Sequence, residues 1–253
     1  NLLKGKATAL QKKLAEVGVA ADTVPEVPAA LRVTGRPALT RLPLFENGWF
    51  ELQDAGSQAI AECGAARRGE RVIDFCAGAG GKTLALAARM RNQGQVLAFD
   101  TDEARLSRLG PRLKRAGVDI VTQMRLKDST DARLARYQGW ADLVLVDAPC
   151  SGSGTLRRHP DLKWRLQPQE VAHYRQLQRQ IMAAAARLLR PGGRLVYATC
   201  SLLADENEAQ MAWLAHRAGG ALAAGGTTGA AGAAGATERA LDLTGSARAA
   251  AVG

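Results

Sequence analysis

The sequence predicts an α/β protein built on a doubly wound, mainly parallel sheet, with a small accessory module at its N-terminal end. Two observations carry that expectation. From Arg71 onward, short apolar runs alternate with helix-period segments, and strands separated by helices favour a parallel sheet covered on both faces. One of the runs, Ala141–Asp147 (A-D-L-V-L-V-D), is apolar enough to be buried on both sides, as an internal parallel strand is.

The elements follow in order. Residues 4–17 place Leu10, Leu14 and Val17 on one face of a predicted helix, and Pro25 and Pro28 end any continuation. Leu31–Val33 and Trp49–Leu52 read as short strands around the Glu46-Asn47-Gly48 turn, so residues 1–50 are taken as a small α+β module. The domain spanning 51–218 begins its sheet with Arg71–Phe75, followed by a glycine-rich turn and a helix starting near Lys82. Val96–Asp100 is the next strand, with a helix through Arg105, Leu109 and Leu113 behind it, and Ile120–Met124 is a third. After Ala141–Asp147, apolar residues at 171, 174, 177, 181, 185 and 188 predict a long helix over Val171–Leu189. Arg190-Pro191-Gly192-Gly193 stops it, and Arg194–Thr199 is the fifth strand. Residues 219–253 are mostly Ala, Gly and Thr without a strand-length apolar run, so an irregular tail is expected.

The 253 residues are 47% hydrophobic, enough for one sizeable core, and no run reaches the length of a membrane span. No basic-then-apolar leader opens the chain, and a start at Asn1 suggests part of a longer product; the expectation is a cytoplasmic, monomeric protein. Net charge is +10 with a pI near 9.9. In residues 221–253 the charges of Glu238, Arg239, Asp242 and Arg248 cancel, so the whole excess lies upstream. That favours a polyanion such as nucleic acid as partner, although a basic enzyme without such a partner has the same composition. Cys63, Cys76, Cys150 and Cys200 form no C-x-x-C pair, so no zinc knuckle and no other metal site is expected.

The turn Asp74-Phe75-Cys76-Ala77-Gly78-Ala79-Gly80-Gly81-Lys82-Thr83 joins a strand to a helix. Its glycines let backbone approach a ligand closely. Read as a phosphate loop, it matches Gly81-Lys82-Thr83 but has Cys76 where the first glycine belongs. Read as a dinucleotide fingerprint, it has Thr83 at the third glycine. The third reading is an adenosylmethionine loop, supported by Asp100 at the end of the next strand, where a carboxylate meets ribose hydroxyls. The loop by itself leaves the choice open.

Asp147-Ala148-Pro149-Cys150-Ser151-Gly152-Ser153-Gly154-Thr155 follows the fourth strand, and Ala198-Thr199-Cys200-Ser201 ends the fifth. Ligands of open α/β sheets bind at the carboxyl ends of strands, so both thiols fall on the rim that carries the glycine turn. A thiolate adding to carbon 6 of cytosine makes carbon 5 enamine-like and able to accept a methyl group, which is covalent catalysis by an accessible, acidified thiol. Cysteine is also a common small buried hydrophobe, and Cys63 and Cys76 fit that simpler reading.

With these motifs assembled, the chain resembles the Sun (Fmu) family of RNA cytosine carbon-5 methyltransferases, and within it the bacterial 16S ribosomal RNA branch. The resemblance runs from about Trp49 to Arg217 through F-E-L-Q-D-A-G-S-Q, D-F-C-A-G-A-G-G-K-T, D-A-P-C-S-G-S-G-T, R-R-H-P-D-L-K-W and Y-A-T-C-S. It implies a class I, Rossmann-like methyltransferase fold, S-adenosylmethionine as cofactor and ribosomal RNA as partner. It further implies Cys200 as the nucleophile and Cys150 as the residue assisting product release. Cys76, Ala77, Gly78, Ala79, Gly80, Gly81 and Lys82 would wrap the methionine part of the cofactor. Asp100 would hold its ribose, Asp128 would lie by the adenine, and Asp147 would sit between cofactor and target base. Lys82 would also reach toward the cytosine.

The family's loop usually reads C-A-A-P-G-G-K; Gly78 and Ala79 stand here for the second Ala and the Pro. Losing proline's preset geometry is expected to weaken cofactor binding by about 0.5–1 kcal/mol. No counterpart of the family's closing D-G-F-F-like strand pair, or of the ribosomal branch's N-terminal RNA-binding domain, is visible, so an incomplete sheet edge is expected. Arg157, Arg158, His159 and Lys163 suit phosphate contacts or a solvated loop, Asp54 suits a helix cap, and Trp164 and Tyr174 are expected to pack in the core rather than stack on bases. Two rival readings remain: a truncated relative that binds RNA without catalysis, and a phosphate-loop nucleotide hydrolase.

Overall fold

The computed structural model of the chain describes residues 1–217 and the short strands at 228–229, 238–242 and 251–252. At the N-terminal end, α1 (Ala7–Glu16) buries Leu10 and Leu14. Strands β1 (Ala21–Thr23) and β2 (Leu31–Val33) pair antiparallel with each other, and α2 spans Pro43–Glu46. Here the structure departs from expectation: Trp49–Leu52 is no strand, and β2 takes its partner from upstream. Glu46-Asn47-Gly48 is a helix end instead of a hairpin turn. Gly48, at φ 71°, follows α2, and the Trp49 amide donates back to the Leu44 carbonyl. An Asn-Gly pair supplies the left-handed residue for either device, so local sequence does not separate them. A Cβ on Gly48 would lie 1.9 Å from the Arg115 carbonyl oxygen, so close packing against the larger domain also requires glycine.

The larger domain begins with α3 (Ala55–Cys63) and β3 (Arg71–Asp74). It continues through α4 (Gly81–Arg89), β4 (Gln95–Asp100), α5 (Glu103–Leu106), α6 (Leu109–Ala116) and β5 (Val121–Arg125). The second half holds β6 (Ala141–Asp147), α7 (Leu162–Arg165), α8 (Pro168–Leu188), β7 (Leu189–Ala198) and α9 (Glu208–Arg217). Beyond residue 217, β8 (Thr228–Gly229) pairs parallel with β10 (Ala251–Val252), and β9 (Glu238–Asp242) joins the main sheet.

The main sheet has six strands in the order β5-β4-β3-β6-β7-β9, parallel from β5 to β7. The chain winds outward through β4 and β5, then returns to β6 on the other side of β3. That reversal opens a crevice beyond the carboxyl ends of β3 and β6. Alternate residues of each strand feed opposite faces. Val72, Ala98, Leu143, Leu145 and Val196 pack with Ile60, Leu84, Leu86, Leu109 and Leu113. Ile73, Phe99, Val144, Val146 and Tyr197 pack with Ile181, Met182, Ala185, Leu188 and Met211. Helices thus cover both faces, and A-D-L-V-L-V-D is the buried central strand.

Two further departures concern this sheet. Arg190-Pro191-Gly192-Gly193 does follow the end of α8, but it runs on as strand, and β7 begins at Leu189 with a register shift opposite Ala141 and Leu143. The edge expected to be incomplete carries β9, antiparallel to β7 with Arg194 opposite Asp242 and Ala198 opposite Glu238. An edge strand is held by backbone hydrogen bonds along one side, so E-R-A-L-D needs no apolar run to form it. The rest of the Ala/Gly tail lies outside the described residues.

Candidate active site

Four strand ends converge on one open cavity of about 780 Å³. β3 brings Asp74, β4 brings Asp100, β6 brings Asp147 and the loop to Cys150, and β7 brings Thr199 and Cys200. Cys76, Ala77, Gly78, Ala79, Gly81, Lys82 and Asp128 also line it, so nearly every residue singled out above is in one place. Gly80 stands just behind the wall as the N-cap of α4, at φ 81°. A Cβ there would come within 2.1 Å of Leu109 Cδ1, so this glycine is needed for packing against α6. Gly78 is left-handed too, at φ 53°, but a Cβ would find nothing within 4 Å, so its open side faces the crevice.

The loop is pinned to β4: Asp100 Oδ2 accepts from the Gly78 amide at 2.7 Å, and its Oδ1 accepts from the Asp102 amide at 2.8 Å. Behind the loop, fully buried Asp74 accepts from Thr83 Oγ1 at 2.6 Å through one oxygen. Its other oxygen, Oδ1, is buried without a partner. Burial raises the Asp74 carboxyl to about 6, with the Thr83 hydroxyl opposing. Lys82 Nζ donates to Asp147 Oδ2 at 2.6 Å and to Ser57 Oγ at 2.8 Å, which fixes the lysine toward the rim between β3 and β6. Asp128 sits at the lip, where its Oδ1 accepts from the Thr130 amide and hydroxyl, and these bonds hold its carboxyl below the usual range.

The two rim thiols face each other, with Cys150 Sγ 3.3 Å from Cys200 Sγ. Hydrogen bonding from Cys150 draws the Cys200 thiol down to about 7, against the opposing effects of burial and of the Asp147 carboxylate, with Lys82 the smallest of the lowering influences. The same contact, reinforced by burial, pushes the Cys150 thiol far up. Cys200 is the exposed member of the pair, so water reaches its sulfur, and the contact with Cys150 favours charge on Cys200 over charge on Cys150. Cys76, by contrast, is driven well above the ordinary thiol value by burial and by the neighbouring carboxylates.

Several residues here carry no signal in local sequence. Ser57 reaches Lys82 from α3, and Asp74 supplies the orphaned carboxylate oxygen. Ser151, Ser201 and Glu206 form a buried network under the two thiol loops, joined across about fifty residues of chain. Asp54 does cap α3, accepting from the Gly56 amide at 3.0 Å, and also pairs with Arg158 at the cavity edge. Tyr174 is on the cavity wall. Trp164 corrects the expectation of core packing: it is 77% exposed on α7, with Lys163 Nζ 4.9 Å from its ring centroid. A four-residue helix on a surface loop has no opposing layer to cover an indole, and its apolar character alone does not reveal this.

The charge of the cavity tests its ligand. Asp74, Asp100 and Asp147 line the interior, and Lys82 is already neutralised by Asp147. A triphosphate would meet carboxylates there, whereas adenosylmethionine brings an ammonium and a sulfonium, and Asp74 Oδ1 is an acceptor without a donor. The residues therefore fit adenosylmethionine and reject the phosphate-loop reading. Fold and site together define a Rossmann-like, S-adenosylmethionine-dependent methyltransferase.

Comparison with known proteins narrows the class. The family model for 16S rRNA methyltransferase RsmB/F matches residues 63–243, and the chain belongs to that family. It is 41% identical over 204 residues to ribosomal RNA small subunit methyltransferase B of Klebsiella pneumoniae subsp. pneumoniae, covering 79% of this chain and 46% of that protein. The Salmonella heidelberg protein of the same name is 40% identical over 200 residues, covering 78% and 46%. This chain thus spans about half the length of these relatives. Among solved structures, a methyltransferase homolog protein from Pyrococcus horikoshii superposes with TM-score 0.74 at 33% identity, covering 85% of this chain and 67% of that one. NSun6 from the same organism, solved with SFG, gives TM-score 0.72 at 27% identity over 85% of this chain and 59% of its own.

Proposed function

We propose that the chain methylates carbon 5 of cytosine in RNA, with small-subunit ribosomal RNA as the substrate class, through a covalent bond between Cys200 and carbon 6 of the base. The observation carrying this reading is the thiol pair 3.3 Å apart on the wall that also holds the glycine loop. S-Adenosylmethionine supplies an electrophilic methyl group when bound. Asp74, the Cys76–Lys82 backbone and Asp100 would hold it, Asp128 would face its adenine and Asp147 would face the target base.

Cys200, whose thiol the Cys150 contact lowers, adds as the thiolate to carbon 6. Carbon 5 then has enamine character and takes the methyl group. Loss of the carbon 5 proton to water in the open cavity, with expulsion of the thiolate, restores the aromatic ring. The departing sulfur needs the same stabilisation that made it acidic, and the Cys150 S–H provides it at 3.3 Å. Cys150 therefore assists release. A base inside a duplex cannot reach such a pocket, so the target is single-stranded or extruded.

Support for an RNA strand at the mouth comes from exposed apolar groups among basic ones. Trp164 is 77% and Leu202 59% exposed, on the segments that follow the two thiols in sequence; Arg158 lines the cavity, with Arg157 beside it in sequence and Lys163 next to Trp164. Aromatic faces beside cations suit unpaired bases and their phosphates. Residues 1–50 add a basic accessory module that contributes to RNA contact. The test is methyl transfer from labelled adenosylmethionine to unmodified 16S ribosomal RNA, followed by nucleoside mass spectrometry. The reading expects 5-methylcytidine, absent with Cys200→Ala; a methyl group on any other atom refutes it, and RNA binding with no transfer favours the non-catalytic relative.

A further inference from the structure

Beneath the thiol pair lies a buried carboxylate that the chemistry above does not use. Glu206 has no exposed surface. Its Oε1 accepts from the Ser151 amide at 2.9 Å and from Gln178 Nε2 at 3.0 Å. Its Oε2 accepts from Ser151 Oγ and from Ser201 Oγ, each at 2.5 Å. Both carboxyl oxygens are thus fully engaged, by an amide, a side-chain amide and two hydroxyls. Such a group is costly to bury unless the bonds it makes are all kept.

What it bonds is informative. Ser151 follows Cys150 and Ser201 follows Cys200, so one carboxylate ties together the ends of β6 and β7 beside both sulfurs. Gln178 also donates to the Pro149 carbonyl at 3.0 Å, so Cys150 is held on either side. The next residue, Asn207, does the same for Cys200: it accepts from Thr199 Oγ1 at 2.6 Å and donates to the Ser201 carbonyl at 2.9 Å. Gly154 N to Cys200 O, at 2.9 Å, closes the two loops on each other directly.

We infer that Glu206, with Asn207 beside it, is a positioning clamp that sets the separation of the Cys150 and Cys200 sulfurs and so governs how the pair shares a proton. The inference deepens the proposed mechanism, which makes Cys200 the nucleophile, but its physical content concerns the thiols alone. Neither clamp residue touches substrate. With the clamp loosened, the sulfurs drift beyond hydrogen-bond reach, Cys200 loses the contact that acidifies it, and its titration moves toward that of an ordinary thiol.

The experiment is the pH dependence of Cys200 alkylation by iodoacetamide, resolved by peptide mass spectrometry on the full chain without RNA or adenosylmethionine. Wild type is expected to show a midpoint near neutrality, and Cys150→Ala a higher one, because the shared proton is gone. Glu206→Gln places an amide donor against two serine hydroxyls and is expected to raise the midpoint by about one unit, slowing alkylation at pH 7 about fivefold. Ser201→Ala removes a single tether and serves if Glu206→Gln does not fold; it is expected to shift the midpoint in the same direction. Folded variants with an unchanged midpoint overturn the clamp. That result would leave cytosine methylation standing, whereas a wild type that makes no 5-methylcytidine refutes the methylation reading and leaves the thiol titration intact.

Discussion

At the residue scale the proposed mechanism gives the two rim thiols different work because they are unequal. Cys200 is exposed and its thiol is lowered by the contact; Cys150 is more enclosed and its thiol is raised. A nucleophile that is also a stabilised leaving group needs both properties together. Cys200→Ala is therefore expected to abolish transfer while leaving adenosylmethionine binding intact, as calorimetry would show. Cys150→Ala is expected to let addition proceed and slow elimination, so that an RNA–protein adduct resistant to denaturing gels accumulates. Asp74 makes a different prediction. Its folded-state carboxyl, near 6, lies above its ordinary 3.8, so the fold prefers it protonated. That contribution is complete below about pH 3.8 and is lost as pH rises through about 6, above which the buried charge costs on the order of 3 kcal/mol. Asp74→Asn should accordingly raise the melting temperature at pH 8, with a gain that shrinks toward pH 4, while weakening adenosylmethionine. A gain independent of pH would show that Asp74 is not buried as a charge.

At the scale of elements, the glycine loop joins stability to binding through two left-handed positions. Gly80→Ala drives a methyl group to within 2.1 Å of Leu109 and strains the backbone, so a loss of about 1–3 kcal/mol is expected in denaturant unfolding. Gly78→Ala meets no neighbour and should cost less stability while still weakening the cofactor. The loop, the strands and α8 were legible beforehand because each is written in local periodicity. Even so, α8 starts at Pro168, ahead of Val171, because Gln167 and Glu170 form a capping box and Pro168 suits the first turn. What local patterns do not contain is partner choice. β2 pairs with β1, Trp49–Leu52 is no strand, and E-R-A-L-D pairs antiparallel with β7 at the edge of the sheet. The serine–glutamate network was hidden for the same reason: serines beside cysteines are unremarkable until the fold brings Glu206 between them.

For the whole molecule, the doubly wound sheet places four strand ends around one crevice, and the surface around the mouth carries cations and exposed apolar groups. Among the described residues, the exposed large hydrophobics are Val17, Leu52, Leu156, Trp164 and Leu202; Leu52 lines the cavity, and Leu156 follows Thr155 of its wall in sequence. Binding of a single-stranded 16S ribosomal RNA fragment is expected to fall steeply with salt, as phosphate contacts require, and Trp164→Ala to weaken it about tenfold at fixed salt. Fluorescence anisotropy across a salt series checks both, and unchanged affinity in Trp164→Ala would remove the indole from the interface. The covalent step is reached most directly with RNA bearing 5-fluorocytidine, whose fluorine blocks elimination. Incubated with adenosylmethionine, the chain should become cross-linked, and peptide mapping should place the nucleotide on Cys200. A nucleotide on Cys150, or methylated RNA formed with no trapped complex, would contradict attack by Cys200.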